Sequence, residues 1–455
     1  MQSFTWKNLL LFASLVLSFL PSAAAQTSSG VTAHAETLTV DAAPYVDAAG
    51  GVSSLDLVRR ALGANRSLSA ARLSVERARA RVVQASLYPN PSLDLEQTTG
   101  SFTNSKGNSE TVVGFAVPLE LGGKRSSRIA VAQAELAAAQ AEFTERQRKT
   151  VGDILAAYID ALSALRELDA TARLNDLDVE TGKYVQARVR EGEASPLEMR
   201  LLGVETSRLR ARRILLRGQL EAAMLRLRNL SGIPLDEPLK FRRGFDSART
   251  PAGIPPSVDE AVTTALRERP DLQLARLNEQ TARAVLRFAR AQAVPDLTGF
   301  ARYAQGRSLL DDTPVGPIAD RDRLLTFGVS ITLPFFNRNQ GTKAEARAQI
   351  EQTVKELEFA ESVVRADVES TYRRYEGVRD SLSAYESGVI KASLENIGTV
   401  EAAFRLGEFR ITDLIAERRR LVDSQREYTD LLAERERALA DLQIAMGNLS
   451  PEDKQ

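Results

Sequence analysis

The chain has 455 residues and balances 60 basic side chains with 60 acidic ones, leaving no net charge at pH 7. That balance excludes a net field for nucleic acid or an anionic membrane surface. The absence of cysteine excludes disulfides, thiolate metal centres and lipid on an N-terminal cysteine. The single histidine, His34, stands in a polar, Ala/Thr-rich stretch without converging ligands, so no metal site and no cofactor is expected.

In chain order, Lys7 precedes an apolar run from Leu9 to Leu20, followed by Pro21 and Ala23-Ala24-Ala25. This is the pattern of a secretory signal peptide over residues 1–25, cleaved before Gln26. A flexible N-terminal segment is expected over 26–52. Residues 53–232 read as one repeat, opening with a helix at about 54–87. Strand-like stretches follow, from Leu93 to about Phe102 and from Thr111 to Leu119, around the turn-rich Asn104–Asn108. The apolar positions Ile129, Ala132, Leu136, Ala139 and Phe143, resuming at Val151, Leu155, Tyr158, Leu162 and Leu165, then mark a long helix. After a turn at 190–196, Leu209, Leu216, Leu220, Leu227 and Leu230 mark a return helix. Steps of 3, 4 and 7 are the spacing of helices packed side by side. Each long helix is expected to reach on the order of 55–65 residues, about 80–95 Å.

A Pro-rich linker, 233–256, breaks the helices. The same plan then returns over 257–447, leaving a polar tail at 448–455. Ala61-Leu62 recurs as Ala265-Leu266, an offset of 204, and Gly192-Glu193 as Gly407-Glu408, an offset of 215. The difference predicts a loop insertion near 306–323. The second helix is expected at 257–293, and strands at Leu297–Gly306 and Leu324–Leu333. Alternation puts Val113, Phe115, Val117 and Leu119 on one face, as it does Leu325, Phe327, Val329, Ile331 and Leu333. About ten tilted residues suit a membrane strand. Four strands cannot close a barrel, since the smallest use about eight, so if these strands enter a membrane several chains must pool them. The fold class expected is mainly α with a small β part.

Several short motifs carry a family resemblance: Leu87-Tyr88-Pro89-Asn90-Pro91 and Leu119-Glu120-Leu121-Gly122-Gly123-Lys124-Arg125 in the first half. Val294-Pro295-Asp296 and the run from Leu333 to Gly341, LPFFNRNQG, answer them in the second. In this order the chain resembles the TolC family of outer-membrane efflux proteins, and most of all its CzcC-type branch, which serves cation-exporting pumps. The resemblance implies a homotrimer, in which duplicated helical hairpins form a periplasmic α-barrel. Four strands per protomer would build a twelve-stranded β-barrel in outer-membrane lipid. It implies a passive duct in a tripartite pump with a periplasmic adaptor and an inner-membrane transporter of the RND type. The linker and chain ends would form an equatorial belt.

The turns bearing Gly192, Glu193, Ser195, Gly407, Glu408 and Arg410 are expected at the periplasmic tip, where the resemblance places the adaptor. Glycine also serves such turns by supplying a positive φ, and Glu408 and Arg410 could pair across protomers. Asp413 would complement the helix start; the resemblance also puts it in a channel constriction. The family's second aspartate falls at Ala416, with Glu417 adjacent but rotated about 100° around the helix. No catalytic constellation appears, so no enzyme is expected, and the many Glu and Arg positions read as solvated helix faces. A type I protein-secretion duct and a periplasmic coiled-coil scaffold are the competing readings.

Overall fold

The computed structural model describes residues 39–100, 102, 108–242, 244–245, 255, 257–310 and 318–447. The signal peptide, His34, the turn at 104–107, most of the Pro-rich stretch after 242 and the tail lie outside them.

Each half opens with two helices where one was expected. Ser53 caps α1 (Ser54–Ala64), its hydroxyl accepting from Asp56 N at 3.3 Å while the Asp56 carboxylate accepts from Ser53 N at 2.9 Å. The chain then breaks at Asn65, which caps α2 (Arg66–Ser86) by accepting from Leu68 N at 3.0 Å. After the sheet strands β1 (Ser92–Thr99) and β2 (Ser109–Leu119), α3 (Lys124–Glu191) runs for 68 residues and α4 (Pro196–Ser231) for only 36. The second half repeats this with α5 (Val258–Glu268), α6 (Pro270–Ala291), β3 (Leu297–Leu310) and β4 (Ile318–Ile331). There the break falls at Arg269, because Pro270 can only begin a helix.

The hairpins are therefore unequal, with one limb longer than expected and its return about half as long. The other half of the wall is α2, stacked end-on against α4. Asn65 Nδ2 donates to Leu230 O at 2.7 Å, tying the start of one helix to the end of the other. Arg269 does the same at α6, reaching Ala445 O at 3.4 Å at the end of α9 (Ile411–Ala445). Gly232 and Gly447, both at positive φ, let the chain turn away at these joints. A Cβ on Gly232 would sit 2.7 Å from Ala64 O, and one on Gly447 3.0 Å from the Arg269 backbone.

The second long limb is α7 (Gln340–Ala384), a π-helical turn (Tyr385–Ile390) and α8 (Lys391–Leu406), without interruption. Tyr158 and Tyr372 are equivalent: their hydroxyls donate to Val52 O at 3.0 Å and Pro255 O at 3.3 Å. Their offset is 214, against 215 for Gly192 and Gly407. The one-residue difference falls across the π-helical turn, which widens by one residue to absorb an insertion while both flanking stripes stay buried. Tyr385 stacks there on Tyr428 with centroids 6.4 Å apart, and its hydroxyl donates to Glu427 at 2.8 Å.

From Thr39 on, the segment expected to be flexible is fastened. Thr39 donates to Asp169 on α3, Asp41 pairs with Arg213 and Arg217 on α4, and Val46 and Val52 bridge to Phe241. Phe241 is fully buried against Tyr158, ring to ring at 5.6 Å, near the midpoint of α3.

The sheet is antiparallel in the order β1-β2-β3-β4. Residues 306–310 and 318–323 continue β3 and β4 rather than forming the expected loop; polar side chains there hid a pairing that backbone hydrogen bonds sustain. One face carries the rows Leu93-Phe115-Ala301-Phe327, Leu95-Val113-Tyr303-Leu325, Val117-Gly299-Val329 and Leu119-Leu297-Ile331. Leu95, Phe327 and Val329 are 71%, 73% and 67% exposed there. The other face bears Asp94, Glu96, Glu110, Asp320, Asp322 and Arg302, with Val112, Phe300 and Leu324 among its apolar members. A continuous apolar face open to its surroundings belongs against lipid. Among the described residues no helix is long and apolar enough to cross a membrane.

Candidate functional site at the helical tip

The α3–α4 and α8–α9 turns lie side by side at the end of the helices remote from the sheet. Both stop on a glycine in the left-handed region, Gly192 at φ 77° and Gly407 at φ 78°. The next amides fold back, Glu193 N to Arg188 O and Glu408 N to Ala403 O, each at 2.9 Å, closing the last turn in the Schellman manner. Ser195 starts α4, its hydroxyl accepting from Leu197 N at 3.2 Å while Glu198 accepts from Ser195 N at 3.4 Å. Arg188 packs over Tyr184 and Phe404, whose rings meet edge-on at 5.9 Å, and this joins the two turns.

Gly192, Glu193, Ser195, Gly407, Glu408, Arg410 and Asp413 are all exposed. Asp413 accepts from Arg410 N at 3.0 Å, which accounts for its position in the first turn of α9. Glu417, one turn on, is not its exposed companion. It is buried and paired with Arg420 at 2.8 Å. No ion pair joins Glu408 and Arg410 among the described residues of one protomer.

The sequence reading missed the polar centre behind the tip. Arg418 on α9 donates to Asp178 at 2.7 Å and Thr181 at 3.0 Å on α3, and to Glu401 at 2.9 Å on α8. Asp178 is 3% exposed. Burial pushes its carboxyl above the ordinary range, and Arg418 pulls in the opposite direction. An apolar cluster that includes Val185, Leu202, Ile397, Phe404, Ile411 and Leu414 packs between the same helices, and the clamp fixes one hairpin to the other beside it. A spacing of 240 residues gives no local signal of this contact. Among the described residues, no group of three or more acidic or histidine side chains could hold a metal.

The sequence profile of the outer membrane efflux protein family matches residues 57–233 and 261–448, once per half. The chain is 23% identical over 411 residues to the cobalt-zinc-cadmium resistance protein CzcC of Cupriavidus metallidurans, covering 88% of this chain and 91% of that one. It is 26% identical over 428 residues to the pyoverdine export outer membrane protein OpmQ of Pseudomonas aeruginosa, covering 89% and 87%. A crystal structure of CusC superimposes with a TM-score of 0.72 at 18% identity, covering 86% of this chain and 91% of that one.

Proposed function

Because the chain belongs to the outer membrane efflux protein family, and so is an outer-membrane channel of an efflux pump, we propose that it works as a homotrimer exporting divalent metal cations. One observation carries the trimer: the sheet has four strands, an apolar outer face and both edge strands, β1 and β4, unpaired. An open edge in lipid leaves backbone groups without partners, each costing several kcal/mol. Three copies supply twelve strands, an even number above the minimum of about eight. A soluble scaffold would have no use for such a face.

The choice of cargo rests on charge. The face that would line the lumen holds five carboxylates against Arg302 among its described rows, and acidic rings favour cations. Similarity to CzcC, a cobalt-zinc-cadmium resistance protein, agrees. At the other end, Asp413 would form a ring of three around the axis and narrow the entrance to the duct. Exposed Leu197, Leu406 and Phe409, beside Glu193 and Glu408, offer the periplasmic adaptor an apolar contact with a charged rim. An inner-membrane pump of the RND type would supply the energy for export through this passive duct.

Deleting the gene and testing growth on cobalt, zinc, cadmium, drugs and detergents examines the cargo. Metal sensitivity is expected; sensitivity to drugs alone would overturn it. Cross-linking in membranes should trap a species of three chains.

A further inference from the structure

The helices are periplasmic, so the strand ends farthest from them face the outside of the cell. On the apolar face the last row that is hydrophobic across β2, β3 and β4 together is Leu95-Val113-Tyr303-Leu325; the next two outward are polar, Gln97-Thr111-Gln305-Arg323 and Thr99-Ser109-Arg307-Arg321, before the single pair Leu309-Ala319 at the hairpin end. Three arginines thus stand on the lipid side, immediately beyond the apolar band. From Leu325 to Ile331 that band spans about 20 Å at 3.4 Å per residue, near the roughly 25 Å of an outer-membrane barrel.

Two further facts set these arginines apart. Arg307 and Arg321 are direct cross-strand partners, which brings their Cβ atoms to about 5 Å and makes the like charges repel. Among the described residues no carboxylate pairs with Arg307, Arg321 or Arg323. The acidic residues of these rows, Glu110, Asp320 and Asp322, point to the opposite face by strand alternation. Nor would barrel closure relieve the repulsion, because the outward positions of β1 are Leu93, Leu95, Gln97 and Thr99. A neutral chain has sorted its charges at this rim, cations outside and carboxylates inside. Among the described residues this cluster has no anionic partner, and at that height the outer-leaflet headgroups can supply one.

We propose that Arg307, Arg321 and Arg323 form a binding site for the phosphate groups of an outer-leaflet phosphorylated glycolipid. Two opposed guanidiniums with a third one position along match a dianionic phosphate, which accepts several charged hydrogen bonds. The acyl chains of the same lipid lie against Leu325, Phe327 and Val329. Bound lipid would screen the Arg307–Arg321 repulsion and stiffen the β3–β4 hairpin.

The test uses the full-length protein purified in detergent and lipid A carrying two phosphates. Its thermal midpoint should rise with this lipid, rise less with the monophosphorylated form and stay unchanged with the dephosphorylated form. The triple variant Arg307→Gln, Arg321→Gln, Arg323→Gln should assemble normally and bind diphosphoryl lipid A at least about tenfold more weakly, the equivalent of one charged hydrogen bond. The matching triple lysine variant should retain part of the affinity, separating charge from fold. Equal affinity in the glutamine variant, or an equal shift with dephosphorylated lipid, would overturn the site. An equal shift with inorganic phosphate or phosphatidylglycerol micelles would overturn its assignment to the outer-leaflet glycolipid.

Discussion

Replacing Arg418 with leucine should loosen the tip far more than replacing it together with Asp178. Asp178 is 3% exposed, and the Arg418 side chain is 11% exposed. Removing the cation leaves a carboxylate buried beside the apolar cluster, which costs about 3–5 kcal/mol. Glu401 loses the same partner, but at 30% side-chain exposure it can turn to water. Because 1.4 kcal/mol is a factor of ten, hydrogen-exchange protection of the amides around 178–185 and 411–421 should fall by about 100- to 4,000-fold. In Arg418→Leu with Asp178→Leu the buried charge is gone and most of that protection should return. The pH dependence has a definite sign. Burial already raises the Asp178 carboxyl, and without Arg418 nothing on that scale opposes it. A carboxyl whose folded value lies above its unfolded one, about 3.9, favours the folded state at low pH and loses that contribution as pH rises. The deficit of the single variant should therefore be smallest in acid and open as pH rises through the raised folded value. Equal loss of protection in the single and double variants, or a deficit that grows on acidification, would refute the reasoning.

Gly407→Ala should cost about 1–2 kcal/mol from its φ of 78° alone, since a Cβ there meets nothing within 4 Å. Gly232→Ala should cost more, its Cβ lying 2.7 Å from Ala64 O; thermal unfolding of the two variants gives the order. Asp413→Ala should weaken channel block by multivalent cations in planar bilayers, with only about 0.3–1 kcal/mol lost from the helix start; unchanged block would leave Asp413 a capping residue alone. Phe327→Arg, placed in the middle of the outward band, should destabilise membrane-inserted protein by about 2–4 kcal/mol per copy. Thr326→Arg, on the opposite face, should not, as refolding into lipid vesicles can show.

The duplication, the four strands and the tip turns were legible because each leaves a local mark: a repeated order of motifs, period-two alternation, or glycine before a helix start. The half-length return helices did not show, because an apolar stripe at helical spacing sets no length, although Ser195-Pro196 and Gly232 bound α4 at both ends. The break at Asn65 leaves only a capping residue inside an otherwise helical pattern. Arg418 and Asp178 were indistinguishable from the many charged positions along solvated faces, because what separates them is burial across 240 residues. The π-helical turn shows in the sequence only as a single step in the repeat offset, too small to notice without Tyr158 and Tyr372 as fixed points.

The joints between α4 and α2 and between α9 and α6 bear on how the protomer carries load. Of the four helical staves at any height, two run unspliced from sheet to tip, and two are butted end to end with side-chain pegs, Asn65 and Arg269, across the gap. A butt joint resists compression but not bending. The strap made by Thr39–Val52 and Phe241 is fastened to α3 and α4 close to the first splice, through Asp169, Tyr158 and the arginines that hold Asp41. It braces the protomer at the level where an end-to-end joint would otherwise be free to hinge, leaving the limbs toward the tip as unbroken helices.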